Sequence, residues 1–260
     1  MNILFIGDIF SIPGRIMVEK HLPKIREKHK INFVIANGEN IAHGQGINER
    51  YYQELLKNNV NVVTLGNHTW GNADIYNFID KAQALVRPLN YAKECPGVGY
   101  VTVNYNNTLI TVFQVMGRTF MNSSLDCPFD ATENLLKNVK SDLYICDIHA
   151  EATSEKIAYG LNFDGRVNII VGTHTHVQTN DARILPKGTM YMTDLGMTGA
   201  LNGVIGVESK LIIKKFKTGL PVRHDPVDSG PSQLCGLVVS IDEHTKKVSS
   251  FEIINIIDNC

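Results

Sequence analysis

The stretch VNIIVGTHTHV (residues 167–177) joins a short apolar run to a glycine and then to two histidines one residue apart. A continuous run of branched apolar residues is typical of a strand buried on both faces of a parallel sheet. Three more runs have this form, NILFIG (2–7), NFVIAN (32–37) and NVVTLG (61–66), and each precedes a helix-like segment. This alternation predicts an α/β fold with largely parallel strands.

The rest of the chain adds further strands and two hairpins. DLYICDI (142–148) is another buried-strand run, and RIL and MYMT are predicted as short strands around a Pro-Lys-Gly turn. The alternating run YVTVNYNNTLITVFQV (100–115) predicts a hairpin that turns at Asn106-Asn107, and LCGLVVSID with VSSFEIINII predicts a second hairpin at the C-terminus. Parallel units mixed with hairpins favour an α/β sandwich of two sheets over one doubly wound sheet.

The helix-like segments are less sharply bounded than the strands. Pro23 is expected to break or kink the first of them, because proline removes a backbone donor and clashes with the preceding turn. Glu208–Phe216 is compatible with either helix or strand. Helices are predicted near Arg15–His29, Glu49–Asn58, Ala73–Ala82, Ala131–Val139 and Ser154–Asn162.

Composition bounds the class of protein. A chain of 260 residues that is 43% hydrophobic can bury one large core, and no linker or repeat divides it, so a single domain over residues 1–260 is predicted. Its apolar runs are far shorter than the roughly 18 residues of a membrane span. The start lacks the basic segment of a signal peptide, so we expect a cytoplasmic protein with no membrane partner. The net charge of −1 gives no strong nucleic-acid signal, and five scattered cysteines predict reduced thiols.

Side chains that bind metals follow each predicted parallel strand within a few residues. The carboxyl ends of such strands meet along one edge, so these side chains are expected to converge in one crevice. Glycines at the turns let the backbone approach a compact site closely. The strand-end residues are Asp8, Glu39, Asn40, Asn67, His68, His149, His174 and His176.

The mixture of donors in this set favours transition metals. Carboxylate and amide oxygens together with imidazole nitrogens suit Mn, Fe, Co or Zn. One ion would leave donors over, whereas two ions about 3.5–4 Å apart that share a carboxylate would use them all. Such a pair lowers the pKa of a bridging water and stabilises both the attacking and the leaving oxygen at a phosphorus atom.

Each strand-end residue also has a structural explanation when it is taken alone. Asp8 and Asn67 could cap the helices that follow them, and the histidines of GTHTHV could be polar turn residues. His68 could be a structural hydrogen-bond donor. Glu39 is harder to explain in this way, because it has neither a capping position nor a helix face. The coincidence at five strand ends, and no single member, indicates a metal centre.

Other polar residues have less defined roles. His43, in the loop AHGQG, could line the site, although an exposed loop position is favoured, and His224 is expected to be solvated. Asp147 fits either a supporting position beside the site or a salt bridge. DLGMTGAL, around Thr198, has the composition of a flexible loop that could close over a substrate. KLIIKKFK (210–217) is more typical of a solvated face than of an RNA-binding patch.

Five blocks, in order along the chain, resemble those of the calcineurin-like metallophosphoesterases. GDIF, NGEN, GNHTW, DIHAE and GTHTHV correspond to the superfamily patterns GDxH, GDxxD, GNH, H and GHxH. The longer spellings NGENIAHGQG, MGRTFM, DIHAEATSEK and TDLGMTG are closer to the YmdB-like branch, phosphodiesterases that act on small cyclic nucleotides. The resemblance runs from Asn2 to about Gly206, and it implies a four-layer α/β/β/α metallophosphoesterase sandwich of two mixed sheets.

The resemblance also implies a ligand for each position of a two-metal centre, with Fe or Mn as the expected ions. Because iron and manganese both accept oxygen and nitrogen donors, the set is compatible with either. The implied ligands are Asp8 and His176 for the first ion, Glu39 as the bridge, and Asn67, His149 and His174 for the second.

The sequence departs from the wider superfamily at two positions. Phe10 stands where a histidine ligand of the first metal is usual, and Glu39 replaces the bridging aspartate. The resemblance to the narrower branch implies that Asn40 supplies the missing ligand. His68, beside a ligand, would be catalytic, because it could protonate the leaving alkoxide or stabilise charge on the phosphate.

The predicted function is a phosphodiesterase that hydrolyses cyclic nucleotides of the 2′,3′-cAMP type, by in-line attack of a metal-bridging hydroxide. Two alternatives stay open on the sequence. One is a phosphomonoesterase that uses the same centre. The other is a regulatory protein that binds RNA or an RNA-processing partner and retains only residual hydrolysis. The sequence does not decide whether the chain forms a homo-oligomer.

Overall fold

The computed structural model describes residues 1–121 and 124–259, which form two sheets with helices on their outer faces. The helices are α1 (Ser11–His29), α2 (Glu49–Lys57), α3 (Ile75–Phe78), α4 (Pro128–Asn138), α5 (Thr153–Asn162) and α6 (Ser209–Thr218). The strands are β1 (Asn2–Ile6), β2 (Asp8–Ile9), β3 (Ile31–Asn37), β4 (Val62–Thr64), β5 (Leu85–Val86), β6 (Tyr100–Tyr105), β7 (Thr108–Met116), β8 (Leu143–His149), β9 (Ile169–Thr173), β10 (Arg183–Ile184), β11 (Met190–Met192), β12 (Met197–Ala200), β13 (Ser232–Ile241) and β14 (Val248–Asp258).

Both sheets are mixed, as predicted. The first has the strand order β2-β12-β13-β1-β3-β4-β5, with β14 paired to β13, and its strands β1, β3, β4 and β5 are parallel. The second has the order β10-β11-β9-β8-β7-β6, in which β7, β8, β9 and β11 are parallel. Antiparallel strands complete each sheet, such as β13 beside β1 and β6 beside β7.

Three apolar cores separate four layers of structure. Helices α1 and α2 cover the outer face of the first sheet, where Leu22 and Leu55 are buried against Val34. The facing sides of the two sheets share a second core, and helices α4 and α5 cover the second sheet, where Tyr159 is buried. The predicted α/β/β/α sandwich is therefore confirmed.

Strand β3 shows why the strand sequences are continuously apolar. Val34 faces the helices of the first core, while Phe33 and Ile35 on either side of it face the core between the sheets. All three are fully buried, and burial of one such side chain contributes about 1.5–3 kcal/mol. Because both faces of the strand are covered, no position is left for a polar side chain until the strand ends.

Both predicted hairpins are present. Strands β6 and β7 pair antiparallel with Tyr105 opposite Thr108, and the two residues of the turn, Asn106 and Asn107, have φ values of 49° and 63°. Asparagine tolerates this left-handed region better than most residues, which is why it is favoured in two-residue turns. Strands β13 and β14 form the C-terminal hairpin.

The first helix differs from its prediction. It begins at Ser11, ahead of the expected start, and continues through Pro23 to His29 without a break. Pro23 lies on the exposed side of α1, while Met17, Leu22 and other apolar residues on the opposite side anchor the helix to the first sheet. Packing on both sides of the proline therefore outweighs its local cost, which is about 3 kcal/mol in a helix interior.

Three other segments resolve or correct the sequence interpretation. The ambiguous segment is helix α6 (Ser209–Thr218), and the helix expected over Ala73–Ala82 is only α3 followed by a 3₁₀ turn, Ile79–Lys81. The prediction of a flexible loop around Thr198 is wrong, because this stretch is the buried strand β12 between β2 and β13. The Thr198 hydroxyl donates to the Cys235 carbonyl oxygen.

Four cysteines, Cys95, Cys127, Cys146 and Cys235, are free thiols, as predicted, and the fifth, Cys260, lies outside the described residues. A search of residues 1–121 and 124–259 finds no helix long and apolar enough to cross a membrane. That the chain forms a single domain stays a prediction.

Candidate metal centre

The strand-end side chains of both sheets meet at one place, as the strand pattern predicts. Asp8 and Glu39 follow β1 and β3 of the first sheet, whereas His149 ends β8 and His174 follows β9 of the second. The cluster therefore spans the carboxyl ends of two sheets that pack face to face. It contains all seven predicted ligands, and their distances divide them into two groups on either side of Glu39.

The second side, as we call Asn67, His149 and His174, is tightly gathered. The Nε2 atom of His149 lies 2.7 Å from Asn67 Oδ1 and 3.1 Å from His174 Nδ1. It also lies 3.3 Å from Glu39 Oε1. One donor atom each from Glu39, His149 and His174 fall within 4.8 Å of one another, the spacing of groups that could hold one metal ion.

The first side consists of Asp8, Asn40 and His176. Asp8 is fully buried, and its Oδ1 atom has no hydrogen-bond partner among the described residues. His176 Nε2 lies 3.9 Å from this oxygen and 3.2 Å from Asn40 Nδ2. The Asn40 amide also donates to Glu39 Oε1 at 2.9 Å, so Glu39 contacts both sides.

Asn40 is arranged differently from the expected ligand. Its nitrogen faces Glu39 and His176, while its Oδ1 atom lies 2.7 Å from Nδ1 of His68. A metal would bind the amide oxygen and not the nitrogen, so a half turn of the amide is needed for Asn40 to become a ligand. Its ligand role stays a prediction.

In all three histidines, one ring nitrogen faces the cluster. The other ring nitrogen lies close to an oxygen atom outside the cluster. His149 Nδ1 lies 2.8 Å from Thr173 Oγ1, and His176 Nδ1 lies 3.1 Å from the Ile205 carbonyl oxygen. His174 Nε2 lies 3.2 Å from a carboxylate oxygen of Glu151. An outer oxygen of this kind fixes the imidazole proton on the outer nitrogen and leaves the inner lone pair free to bind a metal.

His149 is supported by a longer chain of hydrogen bonds. The Thr173 hydroxyl donates to Asp147 Oδ1 at 2.7 Å, so it accepts from the His149 ring. Asp147 is fully buried and also accepts from the Thr64 hydroxyl and the Asn37 amide. Of its two sequence interpretations, the structure therefore supports a position beside the site and not a salt bridge.

Burial and mutual charge shift the pKa values of the ligands. Burial, opposed by His149 and reinforced by neighbouring carboxylates, raises the pKa of Asp8 well above its usual value. Burial also opposes ionisation of Glu39, but the charge and hydrogen bond of His149 lower the pKa of that carboxyl. Burial disfavours the charged form of His149, yet Glu39 and Asp8 raise its pKa to about 9. Burial and the charge of His149 lower the pKa of His174 to about 3. pKa shifts that arise from burial and from close charged partners, as in these four side chains, are typical of functional sites.

The loop that carries two of the histidines is strained and firmly held. His174 and His176 have φ values of 101° and 65°, a conformation that costs about 1–3 kcal/mol per residue. Lys156, fully buried, donates to the Thr173 carbonyl oxygen at 2.7 Å and to Asp194 Oδ2 at 2.8 Å. The same Asp194 oxygen accepts from the Thr175 amide, so this ion pair fastens the loop on both sides of His174.

Gly66 shows how closely the backbone approaches the centre. A Cβ atom at this position would lie 2.1 Å from Glu39 Oε2 and 2.6 Å from His149 Nε2. A side chain therefore cannot be placed there unless a predicted ligand moves. This is the physical reason for glycine in the GNHTW block.

His68 lies at the boundary between the cluster and solvent. Its backbone amide donates to Glu39 Oε2 at 3.1 Å, its ring nitrogen Nδ1 lies 2.7 Å from Asn40 Oδ1, and 37% of its side chain is exposed. The ring is thus oriented by Asn40 and still reaches a molecule that enters from outside.

A cavity of about 830 Å³ opens above the cluster, and we call it the site cavity. One wall is apolar, and the rim also carries polar and charged side chains. His43 and His224 are exposed, as expected, but both line the cavity. The apolar wall consists of Phe10, Ile205, Val207, Val222 and Pro226, and the polar rim includes His43, Glu151, Arg223 and His224.

Phe10 occupies the place of the usual first-side histidine. Its ring meets the His176 ring edge-on at a centroid distance of 5.7 Å, and it packs with Met197, Val207 and Ile212 in a small core of its own. The position is therefore part of the cavity wall and not a metal ligand.

The donor set fits the metals that the sequence implies. An orphaned buried carboxylate oxygen on one side, three inward imidazole lone pairs and a shared carboxylate are the features that bound cations satisfy. Together with the four-layer sandwich, they define the class of protein as a metallophosphoesterase.

Comparison with known proteins narrows this class to one family. The chain belongs to the YmdB-like protein family, whose family model matches residues 4–254. It is 49% identical over 261 residues to a Bacillus subtilis protein named 2′,3′-cyclic-nucleotide 2′-phosphodiesterase. The alignment covers 100% of this chain and 98% of the Bacillus protein. The predicted resemblance is confirmed.

Two further relatives have related names. A putative phosphatase/phosphodiesterase of Mycoplasma genitalium is 36% identical over 263 residues, with 99% of this chain and 93% of that protein covered. The crystal structure of a novel phosphatase from Mycoplasma pneumoniae superimposes with a TM-score of 0.95 at 36% identity, covering 100% of this chain and 94% of that one. The predicted enzyme class, a hydrolase of phosphoric esters, is confirmed.

Proposed function

We propose that this chain is a dinuclear-metal phosphodiesterase that hydrolyses 2′,3′-cyclic nucleotides. The observation that carries the proposal is the set of three imidazoles, each held from behind by an oxygen, that converge on Glu39 beneath an open cavity. The name of the Bacillus subtilis relative supports the choice of substrate. The site cavity of about 830 Å³ is within the range of sites that take small molecules.

We assign one ion to each side of the cluster. Glu39 contacts both sides and is the shared ligand, and the mixed oxygen and nitrogen donors suit Fe or Mn. When bound, the ions supply positive charge to the phosphate and lower the pKa of a water molecule. The assigned ligands are Asp8, Asn40 and His176 on the first side and Asn67, His149 and His174 on the second.

His68 is the residue we assign to proton transfer. It faces the cavity, it is oriented by Asn40, and it is exposed enough to reach the leaving ribose oxygen of a bound nucleotide. A proton delivered to that oxygen avoids the departure of an unstable alkoxide, and general acid catalysis of this kind contributes about 10²–10⁴-fold.

The apolar wall gives the nucleobase a place in the same cavity. Phe10, Ile205 and Val222 lie on one side of the opening and present apolar surface to a planar ring. A cyclic phosphate over the cluster with its base against this wall would place the ribose oxygens near His68. The apolar wall thus supports our expectation that a nucleotide is preferred over a simple phosphate ester.

The second candidate function is a phosphomonoesterase on the same centre. It is supported by the names of the two Mycoplasma proteins, both of which include phosphatase. Turnover of bis-p-nitrophenyl phosphate and p-nitrophenyl phosphate by one metal-loaded preparation separates the two, because we expect the diester to be preferred. Location in the cytoplasm stays a prediction, and the oligomeric state stays open.

The test of the main proposal is hydrolysis of 2′,3′-cAMP by metal-loaded protein, followed by chromatography of the products. We expect a single adenosine monophosphate and no adenosine. Adenosine without accumulation of the monophosphate would show that the same centre also hydrolyses the monoester product, and no turnover with either Fe or Mn would contradict the proposal.

A further inference from the structure

A basic segment of the chain leads directly into the site cavity. Residues 208–224 contain five lysines and arginines but one acidic residue, in a chain with 25 basic and 26 acidic residues in total. The segment comprises helix α6 and the loop that follows it. Arg223 is paired with Asp225 at 2.8 Å, so the excess positive charge of this segment is that of the α6 lysines, although the chain as a whole is nearly neutral.

The exposed side of α6 combines these charges with apolar surface. Lys210, Lys214 and Lys217 recur at helical spacing and so lie along one face. Phe216 beside them is 80% exposed, and Ile213 is half-exposed. We call these five residues the α6 face. None of its lysines forms an ion pair with another residue in the described parts of the chain.

The composition of this face differs from ordinary capping of a helix. Lysines in the last turn of a helix interact favourably with its dipole, and Lys217 is accounted for in that way. Lys210 lies in the first turn, where a positive charge is unfavourable, and the exposed ring of Phe216 has no role in capping. A ligand outside the helix explains both features.

Helix α6 adjoins the site cavity through its buried side and its C-terminal end. Ile212, on the side of the helix opposite Lys210, Lys214 and Lys217, packs with Phe10 and Val207 of the cavity wall, so the lysines lie on the outer side of the helix. The helix ends at Gly219, and the chain then passes to Val222, Arg223 and His224 at the cavity rim. A molecule that extends out of the cavity past this rim would therefore meet α6.

We propose that this face binds the backbone of single-stranded RNA whose 3′ end carries the cyclic phosphate in the cavity. Regularly spaced lysines match successive phosphates, and an exposed aromatic ring gives a base a surface on which to stack. Helix α6 is about 15 Å long, which is beyond the reach of one nucleotide held at the metal centre. The inference rests on the proposed function for the position of the 3′ end, and it extends the substrate from a nucleotide to an RNA terminus.

A membrane surface is the other partner that lysines with exposed apolar residues can bind. The position of the C-terminal end of α6 near the cavity rim favours RNA, because a chain whose 3′ end is held in the cavity would pass this end of the helix. Binding to anionic lipid is accordingly an outcome of the test.

The experiment compares metal-loaded wild-type protein with the double variant Lys210→Gln, Lys214→Gln. The substrates are 2′,3′-cAMP and an oligoribonucleotide about six nucleotides long that ends in a 2′,3′-cyclic phosphate. We expect the ratio of kcat/KM for the oligonucleotide to kcat/KM for the mononucleotide to fall about tenfold in the variant. Phe216→Ala should lower the same ratio by about tenfold, because a stacking contact is lost.

Binding tests the face even if neither substrate is hydrolysed. Fluorescence anisotropy with the same oligonucleotide ending in a 3′-phosphate gives the salt dependence of affinity. The double variant should reduce the slope of log affinity against log salt by about 1.4, since two phosphate contacts are lost. The matched control, Lys137→Gln with Lys140→Gln at the end of α4, removes the same charge far from the cavity and should not change this slope.

Equal RNA binding by wild type and both double variants would overturn the inference, and so would binding of the α6 face to vesicles of anionic lipid in preference to RNA. Hydrolysis of the mononucleotide without any effect of the α6 variants would leave the proposed function intact and refute only the RNA face. Absence of all hydrolysis, together with RNA binding that depends on these lysines, would refute the proposed function and leave the RNA-binding face supported.

Discussion

The two sides of the metal centre share Glu39 but differ in how complete they are. On the second side, Asn67 and His174 already crowd the inner nitrogen of His149 at 2.7 and 3.1 Å. On the first side, the orphaned oxygen of Asp8 is 3.9 Å from His176. Phe10 lies where the wider superfamily pattern GDxH would place a histidine. The difference suggests how the proposed metal sites would form: the donors of the second side are already gathered by the fold, whereas Asn40 must rearrange to complete the first side, so we expect the first side to bind its ion more weakly.

The largest effect is expected from Glu39→Gln, which removes the only charge common to both sides. A neutral amide neither bridges two cations nor balances their charge. We expect phosphodiester hydrolysis to fall by about 10³-fold, equivalent to about 4 kcal/mol of transition-state stabilisation. Metal content and turnover of 2′,3′-cAMP should be measured on the same sample.

The matched control for this variant is Glu133→Gln, which neutralises a partly exposed carboxylate paired with Arg166 on the second sheet's helical layer. Its turnover should equal that of wild type. A Glu39→Gln protein that kept both metals and full turnover would show that Glu39 is not the shared ligand of the two sides. If it lost hydrolysis but kept its cellular role, the regulatory alternative would prevail.

A smaller effect, on stability, is expected from Lys156→Met. The variant leaves Asp194 buried without its positive partner, and removal of one member of a buried ion pair costs about 3 kcal/mol or more. Because the pair fastens the loop of His174 and His176, both sides of the centre should lose affinity together. Urea denaturation measures the loss of unfolding free energy. Less than about 1 kcal/mol would show that the loop is held by other contacts.

Thr173→Val should affect the second side alone. It removes the hydroxyl between Asp147 and the outer nitrogen of His149, and loss of such a support lowers metal affinity by about 10–100-fold. Titration calorimetry with Mn²⁺ resolves the tighter binding step. Thr102→Val, which removes a hydroxyl from an edge hairpin, is the control. We expect the weaker binding step, which belongs to the first side, to stay unchanged. Equal loss of affinity in both binding steps would contradict an effect confined to the second side.

The smallest expected effect is a gain in metal affinity. Phe10→His restores an imidazole at the cavity wall beside His176, and we expect the weaker metal step to tighten by roughly tenfold. The ring sizes are similar, so the small core around Met197 should tolerate the exchange with a modest loss of stability. An unchanged weak step would show that the missing imidazole is not what separates the two sides.

The sequence predicted the parts of the molecule in which local pattern and tertiary packing agree. Continuous apolar runs are favoured where strands are covered on both faces, and polar residues appear mainly where such strands end or where hydrogen bonds satisfy them, as at Asp147. The ligand positions follow from this rule, so Asp8, Glu39 and His149 could be placed together without coordinates. The turn at Asn106 and Asn107 was readable for the same reason, because its chemistry is local.

Features that depend on distant contacts could not be read in this way. The glycine-rich stretch around Thr198 has a loop-like composition and becomes a strand only because β2 and β13 lie on either side of it. Arg223 and His224 reach the cavity on a loop far along the chain from the ligand blocks. Glu151 offered one usable signal, since it follows His149 by two residues, but its contact with His174 depends on the neighbouring strand.

The most direct test of the two-sided centre is titration of metal-free protein with Mn²⁺, with elemental analysis of the saturated sample. The account predicts two equivalents per chain, bound in two steps of unequal affinity, with hydrolysis of 2′,3′-cAMP appearing as the second step is filled. Saturation at one equivalent, or full activity before the weaker step begins, would contradict it.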